Sequence, residues 1–109
     1  MKKDDSVYLK DIWNAIDKID RYMKGINLEN FQSDDMRQDA VIRQLEIIGE
    51  AANKISDYFL KNNKDFPINE AVRMRNFLIH GYDEVDIKVV WKTITDDIPF
   101  LKEKIKQLL

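Results

Sequence analysis

The chain has 109 residues, 44% apolar and 35% charged, a balance that suits one folded domain and excludes a disordered segment. It has no cysteine and one histidine, which excludes a disulfide framework, a thiol nucleophile and a histidine-rich zinc site, so no metal and no cofactor are expected. A net charge of −2 argues against non-specific nucleic-acid binding, yet leaves room for a small basic site that holds one phosphate.

No apolar run reaches the roughly 18 residues that a membrane span needs. The N-terminus, "MKKDDSVYLKD", sets acids directly behind its lysines and lacks an apolar signal region. The expected location is the cytoplasm.

Apolar residues recur in helical steps throughout. A first helix is expected to start at Ser6 as N-cap, with Leu9, Ile12, Trp13, Ile16, Ile19 and Met23 on its inner face and Gly25 ending it. "INLENFQS" reads as a loop. Ser33 or Asp34 then caps a long second helix, expected to run to about Leu60 along the stripe Val41, Leu45, Ile48, Ala52, Ile55 and Phe59. A second apolar line, Ala40, Ile47, Ala51 and Tyr58, makes this face wider than one core contact needs. Gly49, Ala51 and Ala52 are small enough to admit another backbone. The extra width serves either a homodimer surface or burial on two sides by the chain itself.

"KNNKDFP" reads as a polar loop ending in Pro67, and a short third helix is expected from Ile68–Asn69 to His80, closed by Gly81. The last helical stretch begins at Asp86 and carries Ile87, Val90, Trp91, Ile94, Ile98, Leu101, Ile105 and Leu108. Pro99 inside it predicts a kink or a break. Residues 1–109 thus form a single all-α domain, an up-and-down bundle of four to five helices.

The chemistry concentrates in "RMRNFLIHGY", Arg73 to Tyr82, which contains the only imidazole. On a continuous helix Asn76 and His80 are neighbours, Arg73 shares their line, and Arg75 stands about 140° from His80, on the side that leads to Tyr82. Imidazole exchanges a proton near neutrality, and the guanidinium fork matches phosphate oxygens. Asparagine can orient the ring or bind an oxyanion. Together these groups suit cleavage of a phosphodiester whose ribose 2′-hydroxyl is the built-in nucleophile. That reaction wants two proton-transfer groups, and a symmetric dimer would supply two copies of His80. A histidine favoured by a helix C-terminus and ordinary surface arginines would give the same residues without any chemistry. Arg73 is a further candidate for a phosphate contact, or else a surface partner of Glu70 or Asn69.

The pattern Arg75-Asn76-Phe77-Leu78-Ile79-His80-Gly81-Tyr82 resembles the Arg-x4-His-x-Tyr signature of the HepT-like family in the HEPN superfamily. "DAVIRQLEIIGEAANKI", Asp39 to Ile55, and "VWKTITDDIPFLKEKI" near the C-terminus are similar to that family's long second helix and last helices. The resemblance implies a helical bundle that dimerises, with two motifs facing a shared cleft. It implies a toxin of a toxin–antitoxin pair with metal-independent endoribonuclease activity on RNA. Arg75 and His80 would be its catalytic pair, with Asn76 in the same site. It also implies an MntA-like nucleotidyltransferase as antitoxin, which would silence the toxin by transferring AMP to Tyr82. The alternative is a non-catalytic subunit that holds a nucleotide or RNA for such a nucleotidyltransferase.

Overall fold

The computed structural model describes residues 4–75 and 85–109, and every regular element among them is helical. In chain order these are α1 (Asp5–Met23), α2 (Leu28–Gln32), α3 (Asp35–Asn53), α4 (Asp57–Asn62), α5 (Ile68–Arg73) and α6 (Ile87–Lys92). A π-helical turn, Thr93–Asp97, then leads straight into α7 (Ile98–Leu108). The all-α bundle expected from the sequence is present. It has more pieces than expected because short helices form where polar stretches read as loops.

The cap of α1 is Asp4, not Ser6. The Asp4 carboxylate accepts the Ser6 N–H at 2.7 Å and also the Ser6 hydroxyl, so Ser6 lies inside the first turn. Both residue types cap well, and the acid two residues earlier wins because it also meets the positive end of the helix. At the other end Gly25 takes φ +74°, a left-handed conformation that costs side-chain-bearing residues about 1–2 kcal/mol. The chain reverses there as expected.

"INLENFQS" is not a loop. The Asn27 side chain accepts the Asn30 N–H at 2.8 Å and starts α2, whose Phe31 is fully buried. Five residues cannot hold a helix alone. Burial of the Phe31 ring, roughly 1.5–3 kcal/mol, supplies what local propensity lacks. The Gln38 amide reaches back from α3 to the Phe31 carbonyl at 2.8 Å, a second donor to an oxygen that also takes the Asp34 N–H at 3.3 Å.

Asp34 caps α3 through the Arg37 N–H at 3.0 Å. The helix stops at Asn53 instead of running to Leu60. Ser56 is the reason. Its hydroxyl accepts the Phe59 N–H at 3.1 Å and so caps a separate helix, α4. The same hydroxyl donates to Asp5 at 2.6 Å, and the Ser56 N–H donates to the other Asp5 oxygen at 2.8 Å. One carboxylate at the start of α1 therefore fixes the start of α4. The apolar stripe hides this break because Ile55 is still buried and Phe59 still packs on the core beyond it.

The "KNNKDFP" stretch is also more ordered than its polarity suggests. Lys61 and Asn62 belong to α4, and Phe66 is buried edge-on against Phe59, with centroids 5.6 Å apart. In the last stretch the regular α-helix is interrupted just ahead of Pro99, where the sequence predicts a kink or break, and Pro99 stands in the first turn of α7. Proline offers no N–H and its ring crowds the preceding turn. The wider π turn just before it takes up that misfit. Hydroxyls of Thr93 and Thr95 serve the Val89 and Trp91 carbonyls, each at 2.9 Å. Val90, Ile94 and Ile98 follow in steps of four, which drift around a normal helix, yet all three are buried with Leu101 and Ile105.

The core lies around α3, which packs on α1, α2 and α5. Ile12, Ile16, Ile19, Val41, Leu45, Ile48, Ile98 and Leu101 are almost fully shielded. Gly49, Ala51 and Ala52 are buried by the chain's own elements. The rest of the second apolar line differs: Ala40 and Ile47 are half-buried, and Tyr58 is 79% exposed. No described helix is long and apolar enough to cross a membrane.

Candidate active site

The motif hangs on the end of α5. This helix begins after Pro67, as the sequence predicts, but it closes early. Met74 and Arg75 form tight turns, with their N–H groups 3.2 and 3.4 Å from the Ala71 and Val72 carbonyls. The short helix expected from Ile68–Asn69 to His80 therefore ends at Arg73, and Arg75 belongs to a tightened exit turn. Asn76, His80 and Tyr82 lie outside the described residues.

The two arginines of the motif differ sharply. Arg73 is exposed, and its Nη2 stands 3.7 Å from Glu70 Oε1 across one turn of α5. That is the surface partner the sequence offered as an alternative to a phosphate contact, and an exposed pair of this kind is worth at most about 1 kcal/mol. Arg73 also shares its neighbourhood with Asp97 of the π turn. Partial burial, followed by the nearby Asp96 and Glu70 charges, raises the Asp97 carboxyl above its ordinary range, and Arg73 and Lys92 pull it back. Sequence reading missed Asp97 because it stands 24 positions from Arg73, and only the fold brings the two together.

Arg75 is half-buried. Its Nε is shielded from solvent with no hydrogen-bond partner among the described residues. A buried donor left unpaired costs about 1–3 kcal/mol, and more when charged. Such a cost is typical of a side chain held for something other than stability.

What holds it is α3. A Cβ placed on Gly49 would fall 2.6 Å from the Arg75 nitrogen and 2.7 Å from the Arg75 Cβ. Glycine is thus the residue that lets the α5 exit turn rest directly on the α3 backbone. The sequence singled out Gly49 as a point of close approach. The structure identifies the approaching backbone as the chain's own, at Arg75. Chemically, the arrangement presents a fixed cation, backed by a rigid helix, at the head of the segment that contains the only imidazole.

Residues 12–108 match the model of a family described as ribonuclease HepT-like. A probable ribonuclease HepT of Thermococcus cleftensis is 45% identical over 108 residues, covering 99% of this chain and 98% of that one. A putative RNase of Methanocaldococcus jannaschii is 35% identical over 105 residues, 96% of each chain. A second protein of that organism, named gamma-glutamylcyclotransferase and putative RNase, is 38% identical over the whole of this chain, which spans 49% of its length. No solved structure matches.

Proposed function

The chain belongs to the ribonuclease HepT-like family, and from that premise we propose that it is a metal-independent endoribonuclease, the toxin of a toxin–antitoxin pair in the cytoplasm. The observation that carries this reading is the family match over residues 12–108, a span that contains Arg75, Asn76, His80 and Tyr82. The half-buried, rigidly backed Arg75 supports it from physical chemistry.

In the reaction the ribose 2′-oxygen attacks the adjacent phosphorus as a base removes its proton. The bond from phosphorus to the 5′-oxygen breaks, and that oxygen takes a proton from an acid. The products are a 2′,3′-cyclic phosphate and a 5′-hydroxyl. His80 and its copy in a homodimer fill the acid and base roles at a shared cleft. Arg75 faces the charge that grows on the phosphate, and Asn76 orients the ring or an oxygen. Arg73 contacts an adjoining phosphate when it leaves Glu70. An MntA-like nucleotidyltransferase silences the toxin by transferring AMP from ATP to the Tyr82 oxygen, with loss of pyrophosphate. The phosphate then present beside Arg75 competes for the same cation.

Cleavage of RNA by the antitoxin-free protein is the test. His80→Ala and Arg75→Ala should each cost at least about 10²-fold in rate, since positioned proton transfer and charge stabilisation contribute that much or more. Cyclic phosphate ends should appear, and a chelator should not inhibit. Nucleotide or RNA binding without cleavage would favour the non-catalytic subunit instead.

A further inference from the structure

The close approach at Gly49 has a consequence for catalysis, and it rests on the ribonuclease reading above. The atoms that a Cβ at Gly49 would strike are the Arg75 nitrogen at 2.6 Å, the Arg75 Cβ at 2.7 Å and the Arg75 Cα at 3.1 Å. None is the free end of a flexible side chain. All three are the root of the guanidinium arm, so a clash cannot be relieved by rotating a distal torsion. Ordinary contact begins near 3.4 Å, so the exit turn of α5 would retreat by about 0.8 Å. α3 is the less yielding partner, because Val41, Leu45 and Ile48 lock it into the core at no more than 1% exposure.

We propose that Gly49 is a positioning residue for the cleavage reaction: its bare backbone sets where Arg75 leaves α5 and hence where the guanidinium meets the phosphate. Displacements near 1 Å in a reacting constellation cost about 10²-fold in rate. Gly49 touches no substrate; it acts through Arg75. The glycine is also locally unfavourable, being a poor helix former inside a long helix, which is consistent with a requirement set by the neighbour.

The experiment compares wild type with Gly49→Ala, using Asn53→Ala on the exposed end of the same helix as control. Alanine favours the helix, so helix content should persist by circular dichroism. Cleavage by Gly49→Ala should fall about 100-fold in kcat with KM within a factor of about three. Solvent exchange of the Arg75 Nε–H, read by nitrogen-15 NMR, should quicken at least tenfold, because the shielded Nε moves with the exit turn. The other arginines and the control should not change. A folded Gly49→Ala protein with wild-type kcat or wild-type Nε–H exchange overturns the proposal. If Gly49→Ala does not fold, wild type decides: a strong nuclear Overhauser contact between Gly49 Hα and the Arg75 amide proton supports the seat, and its absence removes it. Failure of the ribonuclease reading looks different. Neither wild type nor variant would then cleave RNA while the exchange difference persisted, and the catalytic role of Gly49 would fall with that reading.

Discussion

The α3 helix meets its two main neighbours by opposite means. Toward α1 the chain invests in bulk, with Ile12, Ile16 and Ile19 on one helix and Val41, Leu45 and Ile48 on the other, all within 2% of full burial. Toward the end of α5 it invests in absence: Gly49 removes a side chain so that backbone meets backbone at Arg75. The first seam stores stability, since apolar area leaves water there. The second stores geometry, since it fixes the location of a shielded cationic nitrogen that has no partner among the described residues. A mutation should therefore damage stability at one seam and activity at the other.

Three substitutions test that division. Leu45→Ala at the bulky seam should cost about 2–5 kcal/mol in urea unfolding, because a cavity opens in a close-packed place. A loss under about 1 kcal/mol would mean that the seam is loose. Arg75→Met at the close seam should do the reverse. It keeps the length of the arm and removes a shielded donor that has no partner among the described residues, so stability should rise by about 1 kcal/mol while cleavage disappears. Lower stability would show that the Nε–H has a partner and that the contrast is false. The smallest effect belongs to Asp97, at the rim beside Arg73. Its folded carboxyl titrates above its ordinary value of 3.8, so the folded state binds the proton more tightly. Stability from this group is then full below 3.8 and declines as pH rises through the folded value. Asp97→Asn should raise Tm slightly at neutral pH and give no gain at pH values below 3.8. An equal gain at both would sink the assignment.

Much of the fold is legible because period and burial agree. Leu9, Ile12, Ile16 and Ile19 repeat helically and are all buried, and Gly25 ends α1 with the backbone that only glycine adopts cheaply. The misses have one physical origin, namely tertiary contacts that override local signals. The bond from Asp5 to Ser56 starts a helix 51 positions away, and burial of Phe31 folds a segment whose composition reads as loop. At the site, the smallness of Gly49 was legible from the sequence. The identity of its neighbour was not, since spacing along one helix says nothing about which other helix lies across it. The early closure of α5 was equally hidden, because the apolar pattern continues past Arg73.

The π turn before Pro99 joins α6 to α7 with no loop between them. Lys102 of α7 meets Asp20 of α1 at 2.7 Å, and Lys104 meets Asp65, just ahead of α5, at 3.0 Å. One continuous run of helix thus ties the first helix to the segment that leads into α5, and through it to the turn that presents Arg75.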